Sequence, residues 1–276
     1  CAGIQLHQAR ARNLASGGIY AVIGEMQAGL AEGRGPESEY AVSLSTYRRE
    51  QGGPGAYPQT VQVRVTDESG RVNLNAAPAK LLEAMGLGAE ATATLSSMRG
   101  ENKRLASVDA LRVENVVDAT EYDALRTESF TVLTDGDVNL NSAEPDVLAA
   151  VFGVSRDEAA GIAEKRPFGD WADALQKVGR EPSTFNLDVA PFAPRQQPAG
   201  VSFSSRTFRV RSTVAMTMPG GNHRPAYAGV EAVVAFDTDG NYTIRYLREL
   251  RGGEVRCIED PAAEDVTPED GGEEAN

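Results

Sequence analysis

The chain has 276 residues, of which 41% are hydrophobic, and its formal net charge is −13 at pH 7. This length suits one large domain or two smaller ones with packed cores. The acidic balance argues against a partner bound mainly through phosphate groups, and no stretch has the roughly 20 consecutive apolar residues that a membrane-spanning helix takes.

Residues 1–34 predict one long amphipathic helix that packs on a sheet. Its apolar side chains recur at helical spacing, and we expect them to be shared between covering the sheet and binding partner helices. This stripe consists of Ala15, Ile19, Val22, Met26 and Leu30. The adjacent Gly17 and Gly18 each cost roughly 1 kcal/mol of helix stability relative to alanine. Close packing of the helix would justify them, and a plain weak point in the helix explains them equally well.

Alternating strand patterns flank a helical block and predict an antiparallel sheet from residues 35–70 and 200–257. The strands are expected at Tyr40 to Arg48, Thr60 to Asp67, Ser202 to Met218, Ala228 to Phe236 and Tyr242 to Leu250. Segment 51–58 is predicted as a Gly/Pro-rich loop, and residues 191–199 as a Pro-rich linker. The tail, 258–276, has eight acidic and no basic side chains, which predicts disorder.

A motif that occurs twice defines an inserted helical domain, 71–190. Each copy begins with Val-Asn-Leu-Asn and continues to a glycine suited to a left-handed helix C-cap, and the repeats span about 72–111 and 138–175. The motif residues are Asn73, Asn75, Gly86, Asn139, Asn141 and Gly153. Each repeat predicts a helix, a tight turn, a second helix and a short docking helix. The expected N-caps are Asn75, Ser107, Asn141, Ser155 and Asp170.

This helix-hairpin-helix pattern has two interpretations. In a nucleic-acid binder, the glycines of the hairpin bring backbone N–H groups up to a phosphate. Gly86-Leu87-Gly88 fits such a turn, whereas Gly153-Val154-Ser155 lacks the second glycine. Charge favours the other interpretation, compact helical packing, because residues 71–190 carry 12 Lys and Arg against 20 Asp and Glu. Nucleic-acid binding, as in DNA uptake, is therefore an alternative hypothesis.

The order of these elements resembles a known family. A long N-terminal helix on an antiparallel sheet is similar to the type IV pilin fold. A helical insert with two copies of Asn-hydrophobic-Asn-(Ala/Ser)-Ala, the second followed by Arg166-Pro167-Phe168, resembles the K-type minor pseudopilin of type II secretion, the GspK family. The resemblance implies an α+β fold: a type IV pilin-like long N-terminal helix on an antiparallel sheet, with an inserted all-helical domain containing two helix-hairpin-helix-like repeats.

The resemblance also implies a role without catalysis. K-type proteins are anchored in the bacterial inner membrane by a hydrophobic N-terminal segment, expected here before Cys1, and the rest of the protein lies in the periplasm. They sit at the tip of the pseudopilus filament of major pseudopilin and initiate its assembly with the I- and J-type minor pseudopilins, during protein export across the outer membrane. A minor pilin of a type IV pilus is a second alternative.

Little other chemistry is indicated. The two histidines, His7 and His223, have no nucleophile placed beside them, so no catalytic residue is predicted. The two cysteines, Cys1 and Cys257, fit a disulfide or two unpaired thiols equally well, and Cys1 fits a truncation point as well as a processed start.

Calcium is the one cofactor that the resemblance implies, because K-type pseudopilins carry it. Asp237, Asp239 and Asn241 alternate oxygen ligands around a glycine, as in part of a calcium-binding loop. The loop lacks a bidentate acid at its end, and a plain hairpin turn explains the same residues. These three residues are the metal-ligand candidates.

Overall fold

A computed structural model describes residues 2–50, 53–179, 199–216, 226–250 and Val255 of the chain. The predicted linker up to residue 198, the acidic tail, His223 and both cysteines lie outside these residues. The chain divides into two compact units. The first unit comprises Cys1–Val65, Val210–Ala232 and Tyr246–Asn276, and the second comprises Thr66–Arg209 and Val233–Arg245. The predicted insert, 71–190, falls within the second unit.

The helices and strands follow the predicted order. The helices are α1 (Ala2–Ala31), α2 (Ala79–Ala84), α3 (Ala89–Gly100), α4 (Ala110–Val113), α5 (Ala119–Ala124), α6 (Pro145–Phe152), α7 (Arg156–Ala163) and α8 (Trp171–Val178). The strands are β1 (Glu39–Glu50), β2 (Gly53–Asp67), β3 (Val72–Asn73), β4 (Phe130–Thr131), β5 (Val138–Asn139), β6 (Val201–Ser202), β7 (Thr207–Met216), β8 (Ala226–Phe236) and β9 (Tyr242–Glu249). The predicted α+β fold, a long helix on an antiparallel sheet with further helices, is confirmed.

The helix α1 packs on a five-stranded sheet with the order β1-β2-β7-β8-β9, most of which belongs to the first unit. The glycine pair in α1 allows this packing. A Cβ atom added at Gly18 would lie 2.5 Å from Ser212 Oγ and 2.7 Å from Val61 Cγ1, and one at Gly17 would lie 3.0 Å from Leu44 Cδ1. The helix therefore approaches β2 and β7 more closely than any side chain at position 18 permits, which explains why a weak helix former stands there.

The predicted loop over residues 51–58 is wrong for residues 53–58, because β2 already begins at Gly53. Its first residue pairs with Glu50, the last residue of β1, and the antiparallel register then continues without a break to Glu39 opposite Arg64. Glycine and proline weaken a strand locally. Here backbone pairing along the whole length of β1 outweighs that local preference.

The second unit has its own hydrophobic core. Its largest fully buried side chains include Trp171, Phe130, Phe152 and Phe168, and the rings of Phe152 and Trp171 stack with centroids 6.1 Å apart. Two short parallel strand pairs, β3 with β4 and β5 with β6, run beside the helices. Each copy of the doubled motif starts on the first strand of one of these pairs.

Candidate functional site

The first copy of the doubled motif is built around two asparagine side chains. Asn73 Oδ1 accepts a hydrogen bond from the backbone N–H of Asn75 at 2.7 Å, and Asn73 Nδ2 donates to the carbonyl of Thr134 at 2.7 Å. The amide of Asn75 pairs with one backbone unit, donating to Leu105 O at 3.0 Å and accepting from Leu105 N at 2.8 Å. The Asn75 side chain thus bonds both backbone groups of Leu105, as a neighbouring strand would, and holds the loop that precedes α4 in place.

The second copy repeats this geometry. Asn139 Oδ1 accepts from the N–H of Asn141 at 3.0 Å. The amide of Asn141 donates to Phe168 O at 2.9 Å and accepts from Phe168 N at 2.7 Å, and it donates also to Phe203 O at 2.9 Å. Asn139 Nδ2 bonds Asp67 Oδ2 at 3.0 Å. The two copies are therefore related by equivalent hydrogen bonds, and the second has more of them.

An arginine bonds backbone carbonyls in each copy, Arg99 from within α3 and Arg166 from the segment just after α7. Arg99 donates to the carbonyls of Leu74 and Ala77, both at 2.8 Å, and Arg166 donates to the carbonyl of Ala143. Burial lowers the pKa of both guanidinium groups. These contacts give a physical role to two arginines that stand at matching positions in the sequence, because each satisfies backbone carbonyls at the turn after the motif.

The predicted N-caps are in part wrong. Pro78 and Glu144 occupy the N-cap positions of α2 and α6 without a side-chain cap bond, and the amides of Asn75 and Asn141 bond Leu105 and Phe168 instead. The N-cap of α4 is Asp109 rather than Ser107.

Other local predictions are confirmed. Ser155 caps α7 in a capping box with Glu158, and Asp170 caps α8. Gly86 and Gly153 have positive φ angles of 98° and 62° as expected.

Two acidic residues that the sequence patterns did not single out hold the two copies in place. Glu68 is 1% exposed and accepts from Arg209 Nε and Thr131 Oγ1, at 2.8 and 2.7 Å. Its neighbour Asp67 accepts from Asn139 and caps the short 3-10 helix Glu68–Gly70. Glu68 also pairs with the nearby Arg71, and Asp67 with the N–H of Ser69. Their other partners lie 63 to 141 residues further along the chain, and no local signal predicts those contacts.

The backbone N–H groups of the predicted hairpin turns already donate hydrogen bonds within the chain. Leu87 N donates to Leu82 O and Val154 N donates to Ala149 O, both at 3.1 Å. Ser155 N donates to the carboxylate of Glu158 at 3.0 Å, which puts a negative charge at the N-terminus of α7. Because a phosphate would need these donors and would be repelled by this carboxylate, the turn of the second copy is unsuited to a nucleic-acid backbone.

The predicted partner-binding stripe of α1 faces inward. Its members are 0 to 1% exposed, apart from the half-buried Leu30, and they are Ala15, Ile19, Val22, Met26 and Leu30. The prediction that these side chains contact a partner is corrected, because side chains already covered by the chain's own sheet offer no surface. They perform the covering role that was the alternative for the same stripe.

A different face of α1 is open. Leu6 and Tyr20 are 51% and 52% exposed. Asn13, which is also exposed, lies seven residues from each of them and thus on the same line along the helix. Gly24 and Ala28 continue this line with small side chains. We call these five residues the outer stripe of α1.

The predicted metal ligands form a hairpin turn between β8 and β9. Asp237 Oδ1 accepts from the N–H groups of Asp239 and Asn241 at 2.9 and 2.8 Å, and Asp237 Oδ2 accepts from Asn241 Nδ2 at 3.0 Å. Both carboxylate oxygens thus already serve the turn. Among the described residues, no three His, Cys, Asp or Glu side chains lie close enough together to hold a metal ion. Calcium binding at this turn stays a prediction.

Comparison with known proteins gives a match at the level of structure. Neither protein-family models nor curated protein sequences match the chain. A chain of the GspK-GspI-GspJ complex from the enterotoxigenic Escherichia coli Type 2 Secretion System has a similar structure, with a TM-score of 0.57 and 15% sequence identity over 90% of this chain and 98% of that one. In the described parts of this chain, no helix has the length and apolar character to span a bilayer. The chain has the fold of a GspK-like pseudopilin.

Proposed function

We propose that this chain is the periplasmic part of a K-type minor pseudopilin, which initiates pseudopilus assembly at the filament tip together with I- and J-type minor pseudopilins. The observation that carries the proposal is the fold likeness, which extends over 90% of this chain and includes the helical unit as well as the helix and sheet. The role is one of assembly rather than catalysis. An inner-membrane segment preceding α1 would anchor the chain, and the major pseudopilin filament would lie beneath it.

The outer stripe of α1 supports an assembly role. Leu6 and Tyr20 are large side chains with half of their surface in water, although they lie on a helix whose opposite face is fully buried. An aromatic anchor beside small residues such as Gly24 suits close approach of a second helix. We therefore assign the contact with the I- and J-type proteins to this stripe in place of the buried one.

The helical unit supports a place at the tip. It has a core of its own and buried polar contacts, including the ion pair of Glu68 with Arg209. In a filament built from long helices packed side by side, a domain of this size would collide with neighbouring subunits at every position except the end. Such a unit is compatible with the last position of a filament and not with repeated positions inside it.

The experiment mixes the whole chain with the soluble parts of the I- and J-type pseudopilins encoded in the same genome, followed by size-exclusion chromatography with light scattering. We expect one complex with the mass of three chains. Three separate monomers, under low and high salt, would contradict the proposal.

Two variants locate the interface. Tyr20→Glu puts a charge into the outer stripe, and we expect it to weaken the complex at least about tenfold, as loss of an anchor at the centre of an interface does. Tyr242→Glu is the matched control, because Tyr242 is exposed to a similar extent, 40% against 52%, and lies on β9 instead. Equal effects of the two changes would exclude α1 as the interface.

A further inference from the structure

A groove in the second unit lies where the turns of the two motif copies meet. Met85 and Gly86 line it from the first copy, Gly153 and Val154 line it from the second, and Leu125 lines it from the end of α5. Its volume is about 750 Å³, and ligand sites usually measure about 300 to 1,000 Å³. The two copies thus build together a groove that is large enough to hold a few residues of a peptide.

Much of the lining of this groove is apolar. Met85, Leu125 and Val154 are half-buried side chains that pack against the core of the unit and also line the groove, and Ala149 on α6 lies beside them. Gly86 has no side chain to fill the groove, and a Cβ atom added there would lie 3.7 Å from Leu125 Cδ2. Half-buried apolar side chains in a concave surface favour an apolar ligand that covers them.

Two arginines share one carboxylate at this groove. Arg126 Nη1 donates to Asp146 Oδ2, and Arg156 Nε lies 3.1 Å from Asp146 Oδ1. Asp146 is 18% exposed, whereas the arginine side chains are 48% and 60% exposed. A guanidinium group has several N–H donors, and in the described parts of the chain neither arginine has an acceptor other than Asp146. Donors for one further carboxylate are therefore available beside Asp146.

The remaining charged side chain of the lining, Glu121, limits how much negative charge the groove accepts. Its Oε2 accepts from the N–H of Asp118 at 3.3 Å in the capping box of α5, and it forms no ion pair within the described residues. With two arginines against Asp146 and Glu121, the lining is neutral as a whole. A ligand with one carboxylate and otherwise apolar groups therefore fits better than a polyacidic segment, which Glu121 would repel.

We propose that this groove binds the C-terminus of a polypeptide whose last side chain is apolar. The terminal carboxylate bonds Arg126 and Arg156 in competition with Asp146, and the last side chain covers the apolar lining. A peptide suits this lining better than an alkyl acid does, because its backbone offers hydrogen-bond partners to the charged side chains. This site lies in the helical unit rather than on α1, and it holds whether or not the proposed secretion function is correct.

The test titrates the full chain with the peptide acetyl-Ala-Ala-Leu and with its C-terminal amide, which differ only in the terminal charge. The methionine methyl groups of the protein carry ¹³C, and the signal of Met85 reports occupation of the groove. We expect the acid to bind at least about tenfold more tightly than the amide, because hydrogen bonds between charged groups are the stronger ones. Equal Kd values, or a Met85 signal that neither peptide shifts, would overturn the proposal.

One variant and its control locate the carboxylate. Arg156→Gln removes one guanidinium group and leaves Arg126 paired with Asp146, so we expect the Kd of the acid to rise at least about tenfold and that of the amide to stay constant. Arg104→Gln is the matched control, since it removes the same charge from an exposed arginine of the same unit that does not line the groove. A Kd that Arg156→Gln leaves unchanged, or that the control raises equally, would contradict the proposed site.

A second variant separates ligand binding from a purely structural role of the arginines. Asp146→Asn removes the competing charge and keeps an oxygen acceptor for both guanidinium groups, so we expect the acid to bind about threefold more tightly. Unchanged or weaker binding would exclude competition by Asp146.

Octanoate tests the class of ligand, because it carries the same carboxylate on an alkyl chain. We expect it to bind more weakly than the peptide acid, and tighter binding of octanoate would exclude a peptide C-terminus as the preferred ligand.

Discussion

Each of the two units is stabilised internally by a different kind of contact. In the first unit, α1 buries an unbroken apolar stripe on a sheet and comes so close to it that only glycine fits at position 18. In the second unit, short helices and two-residue strands bury less regular faces, and side-chain amides such as Asn75 and Asn141 bond backbone groups far along the chain. Added side-chain volume is therefore expected to lower the stability of the first unit, and loss of a hydrogen-bond donor or acceptor that of the second.

The largest expected effect tests the close packing of the first unit. Gly18→Ala adds a methyl group that would stand 2.5 Å from Ser212 Oγ, so α1 has to move away from the sheet. We expect the free energy of unfolding to fall by about 3 kcal/mol, as in an overpacked core. Gly24→Ala is the control, because nothing lies within 4 Å of an added Cβ there, and it should raise stability by about 1 kcal/mol through helix propensity. Urea unfolding followed by far-UV circular dichroism measures both, and similar changes would contradict the packing argument.

The next effect compares the two copies of the motif. Asn141→Ala removes three hydrogen bonds to Phe168 and Phe203, and Asn75→Ala removes two bonds to Leu105. At about 1 kcal/mol for each lost bond, we expect losses of about 3 and about 2 kcal/mol in the free energy of unfolding. The fluorescence of Trp171, buried in the same unit, reports the transition.

Two further variants sharpen the test of the motif. Asn13→Ala, on the exposed face of α1, should change stability by less than about 0.5 kcal/mol. Asn141→Asp keeps the acceptor for Phe168 N and loses both donated bonds, so its effect should lie between those of wild type and alanine, with an added penalty for the charge. If the asparagines were helix caps after all, alanine in either copy would cost about 1 kcal/mol and the two copies would not differ.

A smaller effect concerns pH. Hydrogen bonds from the side chain of Asn241 and from the backbone N–H groups of the turn lower the pKa of Asp237 below its ordinary value of 3.8. A carboxylate with a lowered pKa in the folded state stabilises the fold above its unfolded pKa, and this contribution is lost as pH falls through the folded pKa. We therefore expect the stability difference between wild type and Asp237→Ala to be larger at pH 6 than at pH 2. A carboxyl ¹³C titration with a midpoint at or above 3.8 would contradict this expectation.

The smallest effect concerns calcium at the same turn. An ion held by Asp237 and Asp239 has to displace the N–H groups that bond both oxygens of Asp237. We expect binding no tighter than about 1 mM, so 5 mM calcium raises the free energy of unfolding by at most about 1 kcal/mol. A larger increase that disappears in Asp237→Asn would show that this turn is a genuine calcium site.

Local patterns predicted some features of the fold and missed others for identifiable reasons. Helical spacing predicted α1, because it depends on neighbours within one helix. The glycine pair fitted close packing and a plain weak point equally well, and the contacts of Gly18 with Ser212 and Val61 decide for packing. The asparagines of the doubled motif were recognised, yet their role was wrong, since an N-cap bond is local and the bonds to Leu105 and Phe168 span about 30 residues. The role of Glu68 was not predicted because, apart from Arg71, its partners Thr131 and Arg209 lie far along the chain.

The helix α1 shows the same difference between what local patterns predict and what only the tertiary structure shows. Periodicity identified the apolar stripe but could not say what covers it, and all of its members except the half-buried Leu30 are buried in the fold. Only the tertiary structure shows that the opposite line of Leu6, Asn13 and Tyr20 is open, because exposure depends on every element that packs nearby.

The amino-acid sequence by itself determined the order of elements, the doubled motif, the hairpin turn and the acidic character of the tail. These follow from spacing, composition and turn chemistry, which act over a few residues. The tertiary structure decided which face of α1 is buried, how far β2 extends along β1 and which backbone groups the amides of Asn75 and Asn141 bond. These depend on chain segments that meet only after folding, and long-range pairing outweighs local preference wherever it buries enough backbone and apolar surface.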